Sequence, residues 1–194
     1  PRGDGELSGA RMHRVLNNAG STSPRNIAQG VATLQPTTLA SNALAELKLV
    51  SLSEGGKLWV AGDGTITSLG RYGLLEQPRS NTVQVTLNDQ STSGQLLYSE
   101  PKIASNRALL RNRAAYARAG GTTQVANDPA SESLRKSRQL SLTNLLNADD
   151  PAVLALAQRD VALRKDPERV VQGVDIEPFD QADAATITAA FRWL

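Results

Sequence analysis

The sequence predicts an α+β protein: a small α/β domain followed by a mostly antiparallel, β-barrel-like domain with one long helix. Helical patterns dominate the first 56 residues, whereas strand patterns dominate residues 80–178. Helices and strands do not alternate as βαβ units would require. Hydrophobic residues make up 40% of the 194-residue chain and aromatic residues only 4%, so the core must be built from aliphatic side chains.

Two helices are predicted in the first domain, which we place at residues 1–75. One spans residues 8–18 with Ser8 as its cap, and the other spans residues 41–54 with Ser41 as its cap. Gly55 and Gly56 follow the second helix as a stop signal. Apolar residues recur at helical spacing in both: Met12, Val15, Leu16 and Ala19 in the first, and Leu44, Leu47 and Val50 in the second. Between them, "STSPRN" is predicted to be a turn and "VATLQ" a short strand.

The glycine-rich stretch "SEGGKLWVAGDGTITSL" at residues 53–69 has two interpretations, a phosphate-binding loop or a β-hairpin. A phosphate loop needs a helix directly after its glycines. Here Thr65, Ile66 and Thr67 follow, and these β-branched residues favour a strand. Asp63-Gly64 between two strand patterns is typical of a hairpin turn. We therefore expect a hairpin without a bound ligand.

The second domain is placed at residues 80–178, after a linker at 70–80. Its clearest element is a helix at residues 150–165, capped by Asp149 or Asp150, with Pro151 in its first turn. We expect the stripe formed by Val153, Leu156 and Ala157 to pack on the strands of the same domain. A further segment at 179–194 is predicted to be helical. The strand candidates are "TVQVTLN", "QLLYSEPKI", "NRAAYARA", "TTQVA", "RQLSLT" and "RVVQGVDIEP".

Basic residues are concentrated between Lys102 and Arg138, where eight of them face only Asp128 and Glu132. The net charge of the whole chain is only +2, so the sequence does not resemble a dedicated nucleic-acid binder. A solvated face or subunit contact is one interpretation of the stretch, and a polyanion groove is the other. Tyr116 is the only aromatic residue close in sequence, which offers little for base stacking.

No catalytic residue, cofactor or metal ligand is predicted. The chain has no cysteine, which excludes a thiolate metal site. A histidine-based triad would have to be built around its single histidine, His13, inside the first helix, and we interpret His13 as a surface or packing residue. The acidic candidates Asp149, Asp150 and Asp166 each have a structural role as a helix cap or a helix end. Glycosidase sites usually carry aromatic sugar platforms, and aromatic residues are scarce here. We therefore expect no enzymatic activity.

The sequence contains no apolar run long enough to span a membrane and no signal-peptide pattern. It starts at Pro1 rather than at methionine. We interpret this start as processing or as a fragment of a longer protein.

The order of four segments resembles a known family. The segments are "SGARMHRVLNNAG", "VATLQPTTLASNALAEL", "RNRAAYARAGGTTQVANDPAS" and "RQLSLTNLLNADDPAVLALAQRDVALRKDPERVVQGVDIEP". Together they resemble the minor tail proteins of long-tailed bacteriophages of Actinobacteria, and most of all the tail-tip, or baseplate, hub protein. The resemblance extends from about residue 5 to about residue 190.

The resemblance implies a structural virion protein at the tail tip. Such hubs form a homotrimer that closes the tail tube and contacts the distal tail ring, the tape measure protein and the tip proteins. It also implies that residues 1–75 form an inserted α/β domain, that residues 80–178 form a second barrel, and that a first barrel precedes Pro1. The alternative function is a module that binds host-envelope glycans.

The arginines of the basic stretch are the candidate functional residues. In a hub they would lie either at a subunit contact, facing Asp160, Asp166 or Glu168 of a neighbouring copy, or in the tail lumen, close to DNA. The candidates are Arg107, Arg111, Arg113 and Arg118.

Overall fold

The computed structural model describes residues 3–39, 42–76, 81–83, 86–88 and 96–177. It confirms the predicted α+β class, and no closed barrel forms within these ranges. The chain divides into two compact units. Unit 1 comprises Pro1–Leu75 and Leu110–Asp166, and unit 2 comprises Glu76–Leu109 and Pro167–Leu194. These units follow a different partition from the predicted domains 1–75 and 80–178, because residues 110–166 pack with the first segment.

Unit 1 begins with a helical layer on a small sheet. Strand β1 (Glu6–Leu7) leads into helix α1 (Ser8–Asn18), and β1 pairs antiparallel with β3 (Thr33–Leu34). Helix α2 (Ala43–Glu54) packs on α1. The sheet has the order β2-β5-β4, formed by β2 (Arg25–Ile27), β5 (Ile66–Leu69) and β4 (Lys57–Val60). A short helix, α3 (Gly73–Glu76), follows within the predicted linker.

The apolar stripes predicted for α1 and α2 form the first core. Met12, Val15 and Leu16 are buried together with Leu47 and Val50. Two predicted stripe members are not part of it, since Ala19 is exposed and Leu44 is 56% exposed. Ala19 is the residue that follows α1 as its C-cap, and Leu44 lies in the first turn of α2.

The predicted caps of α1 and α2 need correction. Ser8 does not cap α1; its hydroxyl donates to Glu54 Oε2 at 2.8 Å instead. The cap of α2 is Asn42, which accepts from the amide of Ala45 at 3.1 Å. Ser41, the predicted cap, lies outside the described residues. Gly55 ends α2 in the left-handed conformation, with φ 69°, as its sequence position predicts.

The hairpin prediction for residues 55–69 is confirmed. Strands β4 and β5 pair antiparallel, with Val60 opposite Ile66. The turn closes through the amide of Ala61, which donates to the carbonyl of Thr65 at 2.9 Å, and Gly64 adopts φ 83°. A different prediction was wrong in part: Arg25 and Asn26, the last residues of the predicted "STSPRN" turn, belong to β2, which pairs in parallel with β5.

The remainder of unit 1 is a three-stranded sheet covered by the long helix. Its strand order is β10-β8-β9, from β8 (Arg113–Arg118), β9 (Gln124–Asn127) and β10 (Gln139–Leu145). Helix α4 (Pro129–Arg135), which the sequence analysis did not assign, precedes β10. Helix α5 (Asp150–Arg164) is capped by the side chain of Asp149, which accepts from the amide of Ala152 at 2.8 Å.

The predicted packing of the long helix is confirmed. Val153, Leu156 and Ala157 are at most 1% exposed and lie against Ala114, Tyr116, Ala126 and Leu145 of the sheet. The predicted antiparallel character holds only in part. Strand β8 pairs antiparallel with β9 but parallel with β10. The reason is that β9 brings the chain back to the start of β8, and the segment containing α4 then crosses that end to the other edge of the sheet, where β10 begins.

Unit 2 contains a sheet of order β11-β7-β6, formed by β11 (Glu168–Glu177), β7 (Leu96–Asn106) and β6 (Leu87–Asn88). Strands β7 and β11 are antiparallel, and β6 and β7 are parallel. The strand predicted at 82–88 is observed only at its end, since residues 84–85 lie outside the described ranges. The helix predicted at 179–194 also lies outside them.

Candidate functional site

The four candidate arginines do not belong to one unit. Arg107 follows β7 in unit 2 and is exposed. Arg111, Arg113 and Arg118 belong to unit 1, where the last two lie at opposite ends of β8. The sequence could not separate them, because it does not show that the chain changes units at residue 110.

Arg118 is bound within its own chain. Its Nε donates to Asp150 Oδ1 at 2.7 Å, and its Nη1 donates to Gln35 Oε1 at 3.3 Å. Asp150 also accepts from the hydroxyl of Thr122 at 2.6 Å. The hydrogen bond from Thr122, followed by that from Arg118, lowers the pKa of Asp150 below its ordinary value. Arg118 therefore ties β8 to the start of α5.

Two of the acids proposed to meet these arginines from a neighbouring copy have partners in the same chain. Asp160 Oδ2 accepts from the hydroxyl of Tyr116 at 2.5 Å, and Asp160 also pairs with Arg159 at 3.4 Å. Asp166 pairs with Arg135 at 3.2 Å, although its side chain is 65% exposed. These acids are therefore less available to a neighbour than their sequence positions indicate.

Arg111 and Arg113 are part of a larger group of cations at one end of the β10-β8-β9 sheet, which we call the basic end. Backbone hydrogen bonds bring its members together. The amide of Arg111 donates to the carbonyl of Arg164 at 2.8 Å, and the amide of Arg113 donates to the carbonyl of Arg138 at 3.3 Å. The members of the basic end are Arg111, Arg113, Arg135, Lys136, Arg138, Arg164 and Lys165.

Three acids accompany the basic end, which leaves a net charge of +4. Lys165 Nζ lies 2.9 Å from Asp128 Oδ2, Arg135 pairs with Asp166, and Glu132 lies 3.8 Å from Arg113. The hydrogen bond to Asp128 raises the pKa of Lys165. Hydrogen bonds from Asn127 and Ser137 lower the pKa of Glu132, so this end keeps its ion pairs across the neutral range.

A buried asparagine fixes the loop that presents Lys136. Asn112 has no exposed surface, and its side chain donates to the carbonyl of Lys136 at 2.9 Å and accepts from the amide of Arg138 at 2.7 Å. Between these two anchors Lys136 adopts φ 62° and ψ 161°. Only glycine visits this region of backbone conformation without strain.

Sequence reasoning missed both Asn112 and the conformation of Lys136. Asn112 was treated as the first residue of a strand, and Lys136 as one member of the basic stretch. The run of cations at 135–138 was the available signal, whereas the strain on Lys136 follows from tertiary contacts.

An apolar groove of about 360 Å³ lies on the other part of unit 1, between α2 and the β4–β5 hairpin. Trp59 is 42% exposed and Val60 is 66% exposed on β4, an edge strand of the described sheet. Lys48 is the one charged residue among those that line it. The lining residues are Leu44, Leu47, Lys48, Ser51, Leu52, Gly56, Leu58, Trp59, Val60 and Ile66.

The structure gives the buried carboxylate of Glu54 a structural environment. Glu54 is 2% exposed and accepts from the Ser8 hydroxyl, from the amide of Ala32 at 2.8 Å and from that of Arg71 at 3.1 Å. These donors tie the end of α2 to the start of α1 and to two loops. The sequence analysis did not single out Glu54.

His13 is exposed on α1, which is one of the two positions, surface or packing, expected for it. Within the described ranges, no group of three or more histidine, cysteine, aspartate or glutamate side chains could hold a metal ion. The helices of those ranges include none that is long and apolar enough to cross a membrane.

No protein-family model matches the chain, and no curated protein matches it significantly in sequence. The solved structures that resemble it include three tail proteins. A tail protein from Neisseria meningitidis MC58 is 15% identical, with a TM-score of 0.48 over 81% of this chain and 46% of that one. The 43 kDa tail protein of prophage MuSo2 from Shewanella oneidensis is 11% identical, with a TM-score of 0.44 over 81% and 44%.

A prophage tail protein from Listeria monocytogenes EGD-e is 10% identical, with a TM-score of 0.40 over 80% of this chain and 48% of that one. The chain thus spans less than half the length of each of these proteins. At these identities and TM-scores the likenesses do not assign a family.

Proposed function

We propose that the chain is a structural component of a bacteriophage tail tip, located in the virion. More specifically, it is a hub subunit of the kind found in long-tailed phages of Actinobacteria, which closes the distal end of the tail tube and joins it to tip and receptor-binding proteins. The observation that carries this proposal is the combination of four sequence segments, between about residues 5 and 190, that resemble the hub protein in the same order. The likeness to solved tail proteins is too weak to add weight.

Open sheet edges in the fold support an assembly of identical copies. Within the described ranges, β4 is an edge strand of one sheet, and β9 and β10 are the edges of another. Edge strands readily pair with other chains, and proteins usually cover them. A homotrimeric ring covers the same edge three times through one repeated head-to-tail contact.

The apolar groove is the best candidate for that contact, with a second copy as its occupant. It combines an edge strand with apolar side chains, and Val60 is 66% exposed beside it. Burying such surface stabilises an assembly by about 25 cal/mol per Å². Lys48 on the groove supplies a cation for a carboxylate of the neighbouring copy.

The candidate arginines keep their proposed role at a subunit or lumen contact, with Arg111 and Arg113 the more available of those in unit 1. The distal tail ring and the tape measure protein are the proposed neighbours of the assembled ring. We also propose that the chain has no catalytic role. Hydrolysis of purified peptidoglycan by the chain, abolished by mutating an acidic pair, would overturn that part of the proposal.

The glycan-binding alternative has less support. Trp59 is the only aromatic residue that lines the groove, whereas carbohydrate sites usually stack sugars on several rings. A glycan microarray with the purified chain tests this alternative directly, and selective binding would favour it over the hub.

Light scattering after size-exclusion chromatography tests the assembly. The expected result is a trimer that Val60→Lys converts to a monomer. Val31→Lys is the matched control, since Val31 is 56% exposed outside the groove and should stay trimeric. Immunogold labelling of virions should place the chain at the tail tip. A stable wild-type monomer together with label along the tail shaft or capsid would refute the hub.

A further inference from the structure

We propose that the basic end of unit 1 is a binding site for the phosphate backbone of DNA, and that Lys136 is the residue held in place for it. The inference draws on the proposed function only for where in the tail such DNA would be met. The site itself follows from the charge, the strain and the anchoring of the loop at residues 135–138.

The first argument is the conformation of Lys136. At φ 62° and ψ 161° a glycine would be unstrained and a lysine is not. The side chain is exposed, so it contributes no buried packing that would offset the strain. A lysine that strains the backbone at an exposed position does not gain stability from packing. Its cationic side chain is therefore the simplest reason for a lysine at this position.

The loop at residues 135–138 is held in place by hydrogen bonds within the protein, before any ligand binds. Asn112 holds the carbonyl of Lys136 and the amide of Arg138 from beneath, at 2.9 and 2.7 Å. Asn112 is itself fully buried. The cations at 135–138 are therefore presented from a fixed backbone, which lowers the entropy lost when they engage a ligand.

The excess of positive charge at the basic end matches a ligand with closely spaced negative charges. Seven cations against three acids lie at one end of a single sheet, and neighbouring elements supply them. Duplex DNA carries one negative charge per about 1.7 Å of axis, so one short stretch can meet several of these cations together. An acidic protein surface seldom presents carboxylates at that density without intervening bases.

The site is expected to ignore base sequence. Tyr116, the aromatic residue closest to it in sequence, is fully buried, so it offers no ring for a base to stack upon. Binding would rest on phosphate contacts alone. Such binding weakens steeply with salt, because each neutralised phosphate releases condensed counterions.

The test measures the affinity of the full chain for a labelled 20-base-pair duplex of random sequence by fluorescence anisotropy. The measurement is repeated between about 50 and 200 mM NaCl, a range over which binding through phosphate contacts weakens strongly. Lys136→Gln removes the charge and keeps the strain. We expect it to weaken binding by about threefold or more and to lower the salt slope by about one. Lys57→Gln, at an exposed lysine on β4 in the other sheet of unit 1, is the matched control and should bind like wild type.

Lys136→Gly separates binding from folding. It removes the charge and the strain together, so it should weaken DNA binding as the glutamine variant does and raise Tm by about 2 °C or more. A merely structural lysine would give the rise in Tm with unchanged binding. Lys136→Arg should keep the affinity.

Three outcomes overturn the inference. The first is a wild-type chain that does not bind the duplex at 50 mM NaCl, and the second is a Lys136→Gln variant that binds the duplex as wild type does. The third is polyglutamate competing as well as unlabelled DNA at equal charge, which would identify an acidic protein as the ligand. A trimer at the tail tip that fails to bind DNA leaves the hub proposal standing. A chain that binds DNA but is a stable monomer, with label along the tail shaft or capsid, overturns the hub proposal alone.

Discussion

The hydroxyl of Tyr116 donates a 2.5 Å hydrogen bond to Asp160 Oδ2, and this bond fastens the central strand β8 to the long helix α5. Tyr116 has no exposed surface. Its ring fills the core between sheet and helix, while its polar end reaches a carboxylate near the surface. The two residues are 44 positions apart in sequence, so the bond connects distant segments of the chain, the β10-β8-β9 sheet and helix α5.

Removing the hydroxyl should destabilise unit 1. Tyr116→Phe leaves Asp160 without its shortest donor, and a hydrogen bond to a charged group contributes about 1.5–3 kcal/mol. Chemical denaturation should show a loss of that size. Tyr72→Phe, at a 47% exposed tyrosine, is the control. Equal stability of the two variants would contradict a structural role for the bond.

The same tyrosine predicts a loss of stability at high pH. Burial, followed by the hydrogen bond to Asp160, raises the pKa of Tyr116 well above its ordinary value of 10.0. Because the folded pKa is raised, the stabilisation is complete below the unfolded value and is lost as pH rises above it. The free energy of unfolding should therefore fall above about pH 10, and less so in Tyr116→Phe. Parallel curves for the two proteins would refute this.

Glu6 predicts a loss of stability in acid. Burial raises the pKa of Glu6, but hydrogen bonds from Arg14 and Arg11 outweigh it and leave the pKa below its ordinary value of 4.5. Stability is therefore present above that value and declines as pH falls through the folded pKa. Glu6→Gln should flatten this acid limb, whereas Asp4→Asn, at an exposed carboxylate, should leave it unchanged.

Glu6→Gln should also destabilise the protein at neutral pH. Arg11 is fully buried, and it keeps only neutral acceptors, at Thr37, Gly3 and Gln35, once Glu6 loses its charge. A buried cation without its counter-ion is costly, and we expect a loss of about 2–3 kcal/mol. Urea denaturation at pH 7 measures it, and a variant as stable as wild type would disprove the importance of the pair.

Helix α5 offers a comparison of two leucines on one element. Leu156 is 1% exposed and Leu163 is 64% exposed. Leu156→Ala should cost about 2–4 kcal/mol, because it leaves a cavity against the sheet, whereas Leu163→Ala should change stability by about 0.5 kcal/mol or less. Thermal unfolding of both variants checks the difference. Similar losses would mean that a partner covers Leu163.

Two glycines with similar φ separate backbone strain from steric clash. Gly55, at φ 69°, would place a Cβ 2.6 Å from Leu156 Cδ1, whereas Gly120, at φ 72°, has nothing within 4 Å. Gly120→Ala should cost about 1–2 kcal/mol from strain alone. Gly55→Ala should cost about 1–3 kcal/mol more, because the closely packed Leu156 side chain must move in a buried core. Equal losses in calorimetry would show that the Leu156 side chain moves aside without cost.

Elements with local causes could be predicted from the sequence. Apolar periodicity predicted α1 and α5, Asp149 was one of the two predicted caps of α5, and the β-branched residues around Asp63-Gly64 predicted the hairpin. Strands β8 and β10 coincide with the strand candidates "NRAAYARA" and "RQLSLT". Helix α4 could have been predicted as well, since Asp128 caps it and Pro129 begins it. The predicted burial of the stripe that contains Leu156 was correct, because the spacing of apolar residues along a helix determines which face is buried.

Only the tertiary structure decided how distant residues meet. Serine is a favoured residue type at helix caps, yet the hydroxyl of Ser8 donates to the buried carboxylate of Glu54, 46 residues away in sequence. Strand β10 pairs in parallel with β8 because the segment containing α4 crosses from the β9 edge of the sheet to the opposite edge, and no local sequence pattern specifies that crossing. The strain on Lys136 arises from Asn112, which lies 24 residues earlier. Contacts at such separations depend on the path of the whole chain, which no local pattern in the sequence specifies.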